Sequence, residues 1–414
     1  MAVLDHISSQ EAIALENKYG AQNYHPLPVV LSRGKGVYVW DVEGNKYYDF
    51  LSAYSSLNQG HGHPKIVNAL IDQAQQLTLT SRAFYNDMLG KYVKFTTQYF
   101  GFDKLLPMNT GAEAVETAVK ICRKWAYEVK GIDQNEAKII VCKGNFHGRT
   151  TTIISFSNDP LARQNFGPYT EGFIKIEYDD LNALEKALES SSNIAGFLVE
   201  PIQGEAGVYV PSEGYLKKAK ALCKKYNVLF IADEVQTGIG RTGRLLACDH
   251  ENVKPDILVL GKALSGGLYP VSAVLANNEI MNVIRPGNHG STFGGNPIAA
   301  AVAIAALKVV EDEQLAENAE TLGKIFRAAM NAYIVKSKIV ALVRGKGLLN
   351  AIVINDDKDS DKALEICLKL CDNGLLAKPT HGNIIRFAPP LVMTEEQLDD
   401  CIHIITKTLS EFED

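Results

Sequence analysis

Four short apolar runs without polar alternation constrain this chain most. They are Ile139-Ile140-Val141-Cys142, Gly196-Phe197-Leu198-Val199, Val228-Leu229-Phe230-Ile231-Ala232 and Ile257-Leu258-Val259-Leu260, and stretches of 3.6-residue periodicity lie between them. A strand that is apolar on both faces must be covered on both, and intervening helices supply that cover in a parallel α/β sheet. Two helices are legible from their stripes: Ala112, Val115, Val119, Cys122 and Ala126 in one, and Tyr215, Leu216, Ala219, Leu222, Cys223 and Tyr226 in the other. Ser212 is the expected N-cap of the second.

The texture changes at both ends. Residues 27–50 show strand-like alternation with turns expected at Gly34, Gly36 and Glu43-Gly44. After residue 297 come long helices, interrupted by strand-like runs near 348–354 and 384–387. At roughly 150 residues per domain, a chain of 414 residues holds two to three domains. The expected division is a large domain over 51–297 and a smaller α+β domain built from an N-terminal segment, 1–50, and from 298–414.

Charge and composition exclude several classes. Lys and Arg number 42 against 48 Asp and Glu, a net charge of -6, so no general basic field attracts nucleic acid or an anionic membrane. The longest apolar run, 298–307, is about half of the ~20 residues needed to span a bilayer and reads as a buried helix. Seven cysteines, odd in number and without a Cys-x-x-Cys pair, suit free thiols in a reducing compartment. The first twenty residues carry acids and no basic patch before an apolar core, so the cytoplasm is expected.

In open parallel sheets, ligands bind beyond the carboxyl ends of the strands. The polar residues there are Glu200, then Asp233 and Glu234, then Lys262, so one site is expected to collect carboxylates and a lysine. Lys262 enters Ala263-Leu264-Ser265-Gly266-Gly267, where small residues leave room beside its amine and burial lowers its pKa toward nucleophilic use. Pyridoxal phosphate chemistry requires such a lysine for a Schiff base, and a carboxylate, here Asp233, to keep the pyridine nitrogen protonated. Asn109-Thr110-Gly111-Ala112-Glu113 opens an amphipathic helix whose free N–H groups suit a phosphate.

Other motifs carry less. Gly238-Ile239-Gly240-Arg241-Thr242-Gly243 has dinucleotide-loop spacing but stands five residues beyond its strand, with no long helix after it. His61-Gly62-His63 has no third ligand in view, and no metal is expected. No Gly-x-Ser-x-Gly elbow supports a hydrolase.

Six ordered blocks, NTGAEAVETAVK (109–120), NFHGRT (145–150), VEPIQGEAG (199–207), ADEVQTGIGRTG (232–243), PDILVLGKALSGGLYP (255–270) and HGSTFGGNP (289–297), resemble the class III pyridoxal-phosphate aminotransferases. Further blocks at 19–44, 50–64, 80–86, 344–354 and 375–391 are similar to the branch of that family acting on the δ-amino group of ornithine. His147 stands where animal members of that branch usually have Trp, and Phe293 where they have Tyr.

The resemblance implies the aminotransferase fold type I, with a mostly parallel central sheet flanked by helices plus a smaller α+β domain. It also implies roles residue by residue. Lys262 would hold the cofactor and shuttle the proton, Asp233 would pair with the pyridinium nitrogen, and Gln236 would bond the phenolic oxygen. Phe146 would stack on the ring, and Gly111 and Ala112 would bind the phosphate together with Ser291 and Thr292 from the second subunit of a homodimer. Arg149 and Arg386 would bind substrate carboxylates, Glu205 would pair with Arg386 during the ornithine half-reaction and swing away in the other, and Tyr24 and Tyr54 would complete the ornithine pocket. The implied reaction takes ornithine and 2-oxoglutarate to glutamate 5-semialdehyde and glutamate. The alternatives are acetylornithine or 4-aminobutyrate as donor, or an aminomutase with the same cofactor.

Overall fold

The computed structural model describes residues 7–413. Toward the N-terminus, β1 (Leu31–Lys35), β2 (Tyr38–Asp41) and β3 (Lys46–Asp49) form an antiparallel meander. The chain then forms β4 (Lys104–Met108), β5 (Lys138–Cys142), β6 (Phe173–Ile176), β7 (Ile194–Val199), β8 (Leu229–Asp233), β9 (Ile257–Leu260) and β10 (Ser272–Ala276). After two long helices, Pro297–Asp312 and Leu315–Ile334, come β11 (Val340–Lys346), β12 (Leu349–Ile354), β13 (Leu375–Leu376), β14 (Lys378–Pro379) and β15 (Ile384–Phe387).

Strands β4 to β10 make one sheet in the order β4-β10-β9-β8-β7-β5-β6, with β10 running against both neighbours and the other described pairs parallel. Every residue of β7, β8, β9 and β10 is buried, which is why their sequences do not alternate. The helix Gly111–Trp125 covers one face, and Leu181–Glu189 and Tyr215–Lys225 cover the other. Phe197 and Phe230, edge to face at 5.9 Å, are fully buried, each stabilising the sheet by roughly 1.5–3 kcal/mol. This mostly parallel sheet with flanking helices is the expected α/β fold.

Two smaller sheets lie at the chain's ends. β13 pairs parallel with β3, so residues 375–376 extend the N-terminal meander. The other sheet has the order β11-β12-β15-β14. The helix Pro297–Asp312 packs on Pro64–Ala74, on Leu89–Phe100 and on the short turn Lys262–Ser265.

Three local expectations differ from the structure. Gly34 is not a turn residue: it pairs with Val39 inside the β1–β2 ladder, and a Cβ there would stand 2.5 Å from His61 Nδ1, so its smallness makes room for the imidazole. Ser212 does not cap Tyr215–Lys225. Its hydroxyl donates to Asp179, while the Glu251 carboxylate accepts from the amides of Gly214 and Lys217 at 3.2 and 2.8 Å. An anion is the stronger acceptor at a helix N-terminus. β11 was not expected because its Val-Ala-Leu-Val-Arg-Gly-Lys run is mostly exposed or half-buried and carries little apolar pattern.

Arg241, inside the glycine-rich run 238–243, is fully buried and makes no ion pair among the described residues. Its guanidinium donates to Asn58 Oδ1 at 2.6 and 3.1 Å, to the Leu348 carbonyl at 2.9 Å and to the Pro389 carbonyl at 2.6 Å. Burial lowers its pKa to about 9. One side chain thus joins the segment that follows β3, its own loop after β8, and the residues flanking β12 and β15. Replacing it by Leu strands three buried acceptors, and Arg241→Leu is expected to cost about 3 kcal/mol of stability. A thermal melt checks this: a clear fall in the midpoint is expected, and an unchanged midpoint contradicts it.

Candidate active site

The carboxyl ends of β7, β8 and β9 converge on one cavity of about 200 Å³. Pairing of Val199 with Ala232 and of Asp233 with Val259 brings Glu200, Asp233 and the start of the Lys262 turn to one level. Gly111, Ala112, Phe146, Glu205, Asp233, Gln236 and Lys262, all expected from the sequence, line this cavity. His147, Gly148, Glu200, Val235 and Thr237 line it as well. Glu234 does not: it turns into the protein, accepting from the amides of Ala247 and Cys248 at 3.0 and 2.8 Å and from the Thr237 hydroxyl. Successive residues leaving a strand point to opposite faces, so only Asp233 of the pair reaches the site.

The charges are arranged in two groups. His147 Nδ1 lies 2.6 Å from Asp233 Oδ2, while Asp233 Oδ1 accepts from the Val235 amide at 3.0 Å. Burial alone would lower the His147 pKa, but the hydrogen bond and charge of Asp233 raise it above the ordinary imidazole value. Glu200 accepts from the Phe146 amide at 2.8 Å, and burial pushes its pKa up to about 7. In the second group Arg386 donates from one nitrogen to Glu205 at 2.8 Å and to the Gly204 carbonyl at 3.2 Å. It also reaches Gln236 Oε1 at 3.4 Å. Burial would raise the Glu205 pKa, but Arg386 outweighs it and holds the carboxyl low.

Lys262 stands between the two groups. Its backbone is left-handed, with φ 45°, an uncommon state for a residue with a long side chain. Burial, reinforced by the positive charge of Arg386, lowers its amine pKa to about 8. A fraction of free amine is therefore available close to neutral pH.

Several expected residues lie outside this cavity. Tyr24 and Tyr54 line a separate one of about 600 Å³, with Asp49, His61 and Lys378. Arg386 and Arg149 line neither, but each stands beside residues of both: the Arg386 guanidinium, paired with Glu205, is 5.2 Å from the Tyr54 ring centre, and that of Arg149 is 6.0 Å from Tyr24 and 5.8 Å from Phe146. Ser52, Ala53, Tyr54 and Ser55 form one turn with φ of 49, 46, 59 and 70°, a left-handed conformation that costs about 1–2 kcal/mol per residue. Ser291 and Thr292 line neither cavity of their own chain. Ser291 Oγ accepts from Asn109 Nδ2 at 2.8 Å, and Thr292 is exposed.

The donor set fits pyridoxal phosphate. Thr110 and Glu113 form a capping box, and the first amides beyond it, of Gly111 and Ala112, stand at the open helix end on the cavity wall, where a phosphate is stabilised. A carboxylate for the ring nitrogen, an amine for the carbonyl carbon, and apolar surface from Phe146 and Val235 line the same space. Sequence reading did not single out Val235. Its signal was local: it follows Asp233 by two residues, and a Cβ on Gly111 or Gly261 would meet it at 3.0 or 3.2 Å.

Comparison with known proteins agrees with this chemistry. The family model described as aminotransferase class-III matches residues 19–409. The chain is similar to the mitochondrial ornithine aminotransferase of Drosophila melanogaster, at 61% identity over 97% of this chain and 92% of that protein. Among solved structures it is similar to the acetylornithine aminotransferase of Elizabethkingia anophelis (65% identity, TM-score 0.91, covering 98% of this chain and 100% of that one). It is also similar to the ornithine aminotransferase of Toxoplasma gondii, which was crystallised with partial pyridoxal phosphate occupancy (52% identity, TM-score 0.96, 99% and 95%).

The depressed lysine pKa is directly measurable. In protein stripped of cofactor, acylation of Lys262, followed by mass spectrometry of its peptide, is expected to titrate with a midpoint near pH 8. A midpoint at the ordinary lysine value of 10.5 contradicts the burial argument.

Proposed function

The chain belongs to the class-III aminotransferases, and we propose that it transfers the δ-amino group of L-ornithine to 2-oxoglutarate, giving L-glutamate 5-semialdehyde and L-glutamate by a ping-pong route. One observation carries this choice: Arg386, next to the lysine cavity, is masked by Glu205 at 2.8 Å. A masked arginine suits an enzyme that must bind two differently charged substrates in one place. With Glu205 in place, Arg386 does not compete for the ornithine α-carboxylate, which is left to Arg149, with Tyr24 toward the α-amino end. With Glu205 withdrawn, Arg386 is free to take the α-carboxylate of 2-oxoglutarate as a bidentate pair.

Bound pyridoxal phosphate supplies the electron sink for the carbon that loses its proton. The rest falls to this chain's own side chains. Lys262 Nζ, with its pKa near 8, carries that proton and holds the cofactor between turnovers. Asp233, braced by His147, would pair with the ring nitrogen, and Gln236 would donate to the phenolic oxygen. Phe146 would cover the ring, while Gly111 and Ala112 would hold the phosphate. Ser291 and Thr292 complete that phosphate site from the partner subunit of a homodimer, consistent with their absence from the cavity of their own chain.

We also propose that residues 1–50 and 298–414 form one smaller unit against a cofactor-holding domain of 51–297. The pairing of β3 with β13 supports it, and the helix Pro297–Asp312 on the Lys262 turn is where the two would meet. Among the described residues no helix is long and apolar enough to cross a membrane. Cytoplasmic residence is likewise our proposal, supported by seven cysteines present as free thiols, although several relatives carry the word mitochondrial in their names.

The 65% identity to a protein named acetylornithine aminotransferase favours a second reading, with an acylated donor. A donor screen with purified protein and 2-oxoglutarate separates the two. Ornithine is expected to exceed acetylornithine and 4-aminobutyrate by at least about tenfold in kcat/KM, and a preference for acetylornithine overturns the proposal. Turnover without any keto acid would indicate an aminomutase instead. Glu205→Ala is expected to unmask Arg386 and raise single-turnover reaction at the α-amino group of amino acids about tenfold, and no rise would contradict the masking role.

A further inference from the structure

The left-handed turn at residues 52–55 is costly in more than its backbone. The hydroxyls of Ser52 and Ser55 are buried without a hydrogen-bond partner. No glycine or asparagine relieves the run. Strain of this kind persists where the surroundings over-determine it, and it gathers at functional sites.

Those surroundings are visible at both ends of the turn. Before it, Asp49 Oδ1 accepts from the Leu51 and Ser52 amides at 2.9 and 2.8 Å, and Asp49 Oδ2 lies 2.7 Å from His61 Nε2. His61 is held in turn: its backbone exchanges two hydrogen bonds of 2.9 Å with Gly36, and its ring sits where a side chain at Gly34 would be. After the turn, Asn58 receives Arg241, and Gln59 donates to the carbonyl of Ala263, the residue following Lys262. Tyr54 projects from the middle of this clamped segment to lie under Arg386.

We infer that Asp49 and His61 are positioning residues that hold the left-handed turn and thereby set where Tyr54 meets Arg386, tuning recognition of the amino donor. Neither lines the lysine cavity. Both line the Tyr24–Tyr54 cavity, but Asp49 uses one oxygen on the turn's amides and the other on His61, so their influence on the donor is assigned to the turn. The inference rests on the reading above that Tyr54 and Arg386 face the substrate. It gives the His-Gly-His segment a part that metal ligation does not supply. The aspartate acts as a cap for a turn of the wrong hand, and the imidazole keeps its second oxygen from rotating away.

The test is a double-mutant cycle in the holoenzyme, measured as KM and kcat for ornithine. Asp49→Ala is expected to raise KM about tenfold while kcat falls less than about threefold, and Asp49→Asn, which keeps an oxygen for both amides, should recover most of that loss. In a Tyr54→Ala background, Asp49→Ala should add less than about twofold. An equal tenfold penalty in both backgrounds shows that Asp49 does not act through Tyr54 and overturns the inference. If Tyr54→Ala alone leaves the ornithine KM unchanged, the substrate-pocket reading fails and takes the inference with it, an outcome distinct from the additive one. Should Asp49→Ala not fold, His61→Ala enters the same cycle with an expected rise of about threefold, again suppressed by Tyr54→Ala.

Discussion

A lysine amine kept from water at the carboxyl end of a buried strand is the constraint on which the rest of this structure depends. Lys262 leaves β9 in a left-handed conformation, and the elements around it hold that amine among fixed charges with its pKa lowered to about 8. β8 brings Asp233 and β7 brings Glu200, because parallel neighbours end at the same level. The helix Pro297–Asp312 packs on the turn from outside, and Gln59 holds the Ala263 and Ala306 carbonyls together at 3.0 and 3.1 Å. Little in this arrangement is free to relax, and that rigidity lets a cationic side chain have its pKa lowered without escaping to solvent.

Charge pairing then divides the site by task. The His147–Asp233 pair is a fixed one, with both partners buried and the imidazole pKa raised. The Arg386–Glu205 pair is of the other kind: Arg386 is buried, but the Glu205 side chain keeps 27% exposure and so has somewhere to go. A buried arginine left without its carboxylate is costly, so withdrawal of Glu205 is favourable only when another carboxylate arrives. In the function proposed above, exchange of partners at Arg386 is what couples substrate binding to unmasking.

Much of this was legible in the sequence, for a physical reason. Strands covered on both faces show as continuous apolar runs, and the polar residue ending each run must lie at the sheet's edge, so Glu200, Asp233 and Lys262 could be placed from one-dimensional pattern alone. The pattern failed where side-chain direction or partner choice decides. Glu234 is as polar as Asp233 but faces the other way. Ser212 is a good cap by type but lost its helix to Glu251, thirty-seven residues from Gly214 in sequence. The Ser-Ala-Tyr-Ser turn had no signature at all, since none of these residues favours a left-handed backbone and its cause lies in Asp49 and His61. The family resemblance located Tyr54 but not the strain that holds it.

The most direct test of the central claim is chemical. Borohydride reduction of the holoprotein, digestion and peptide mass mapping should find the mass of the cofactor on the peptide that carries Lys262 and on no other lysine peptide. Cofactor mass on a different lysine, with the Lys262 peptide unmodified, would contradict the account.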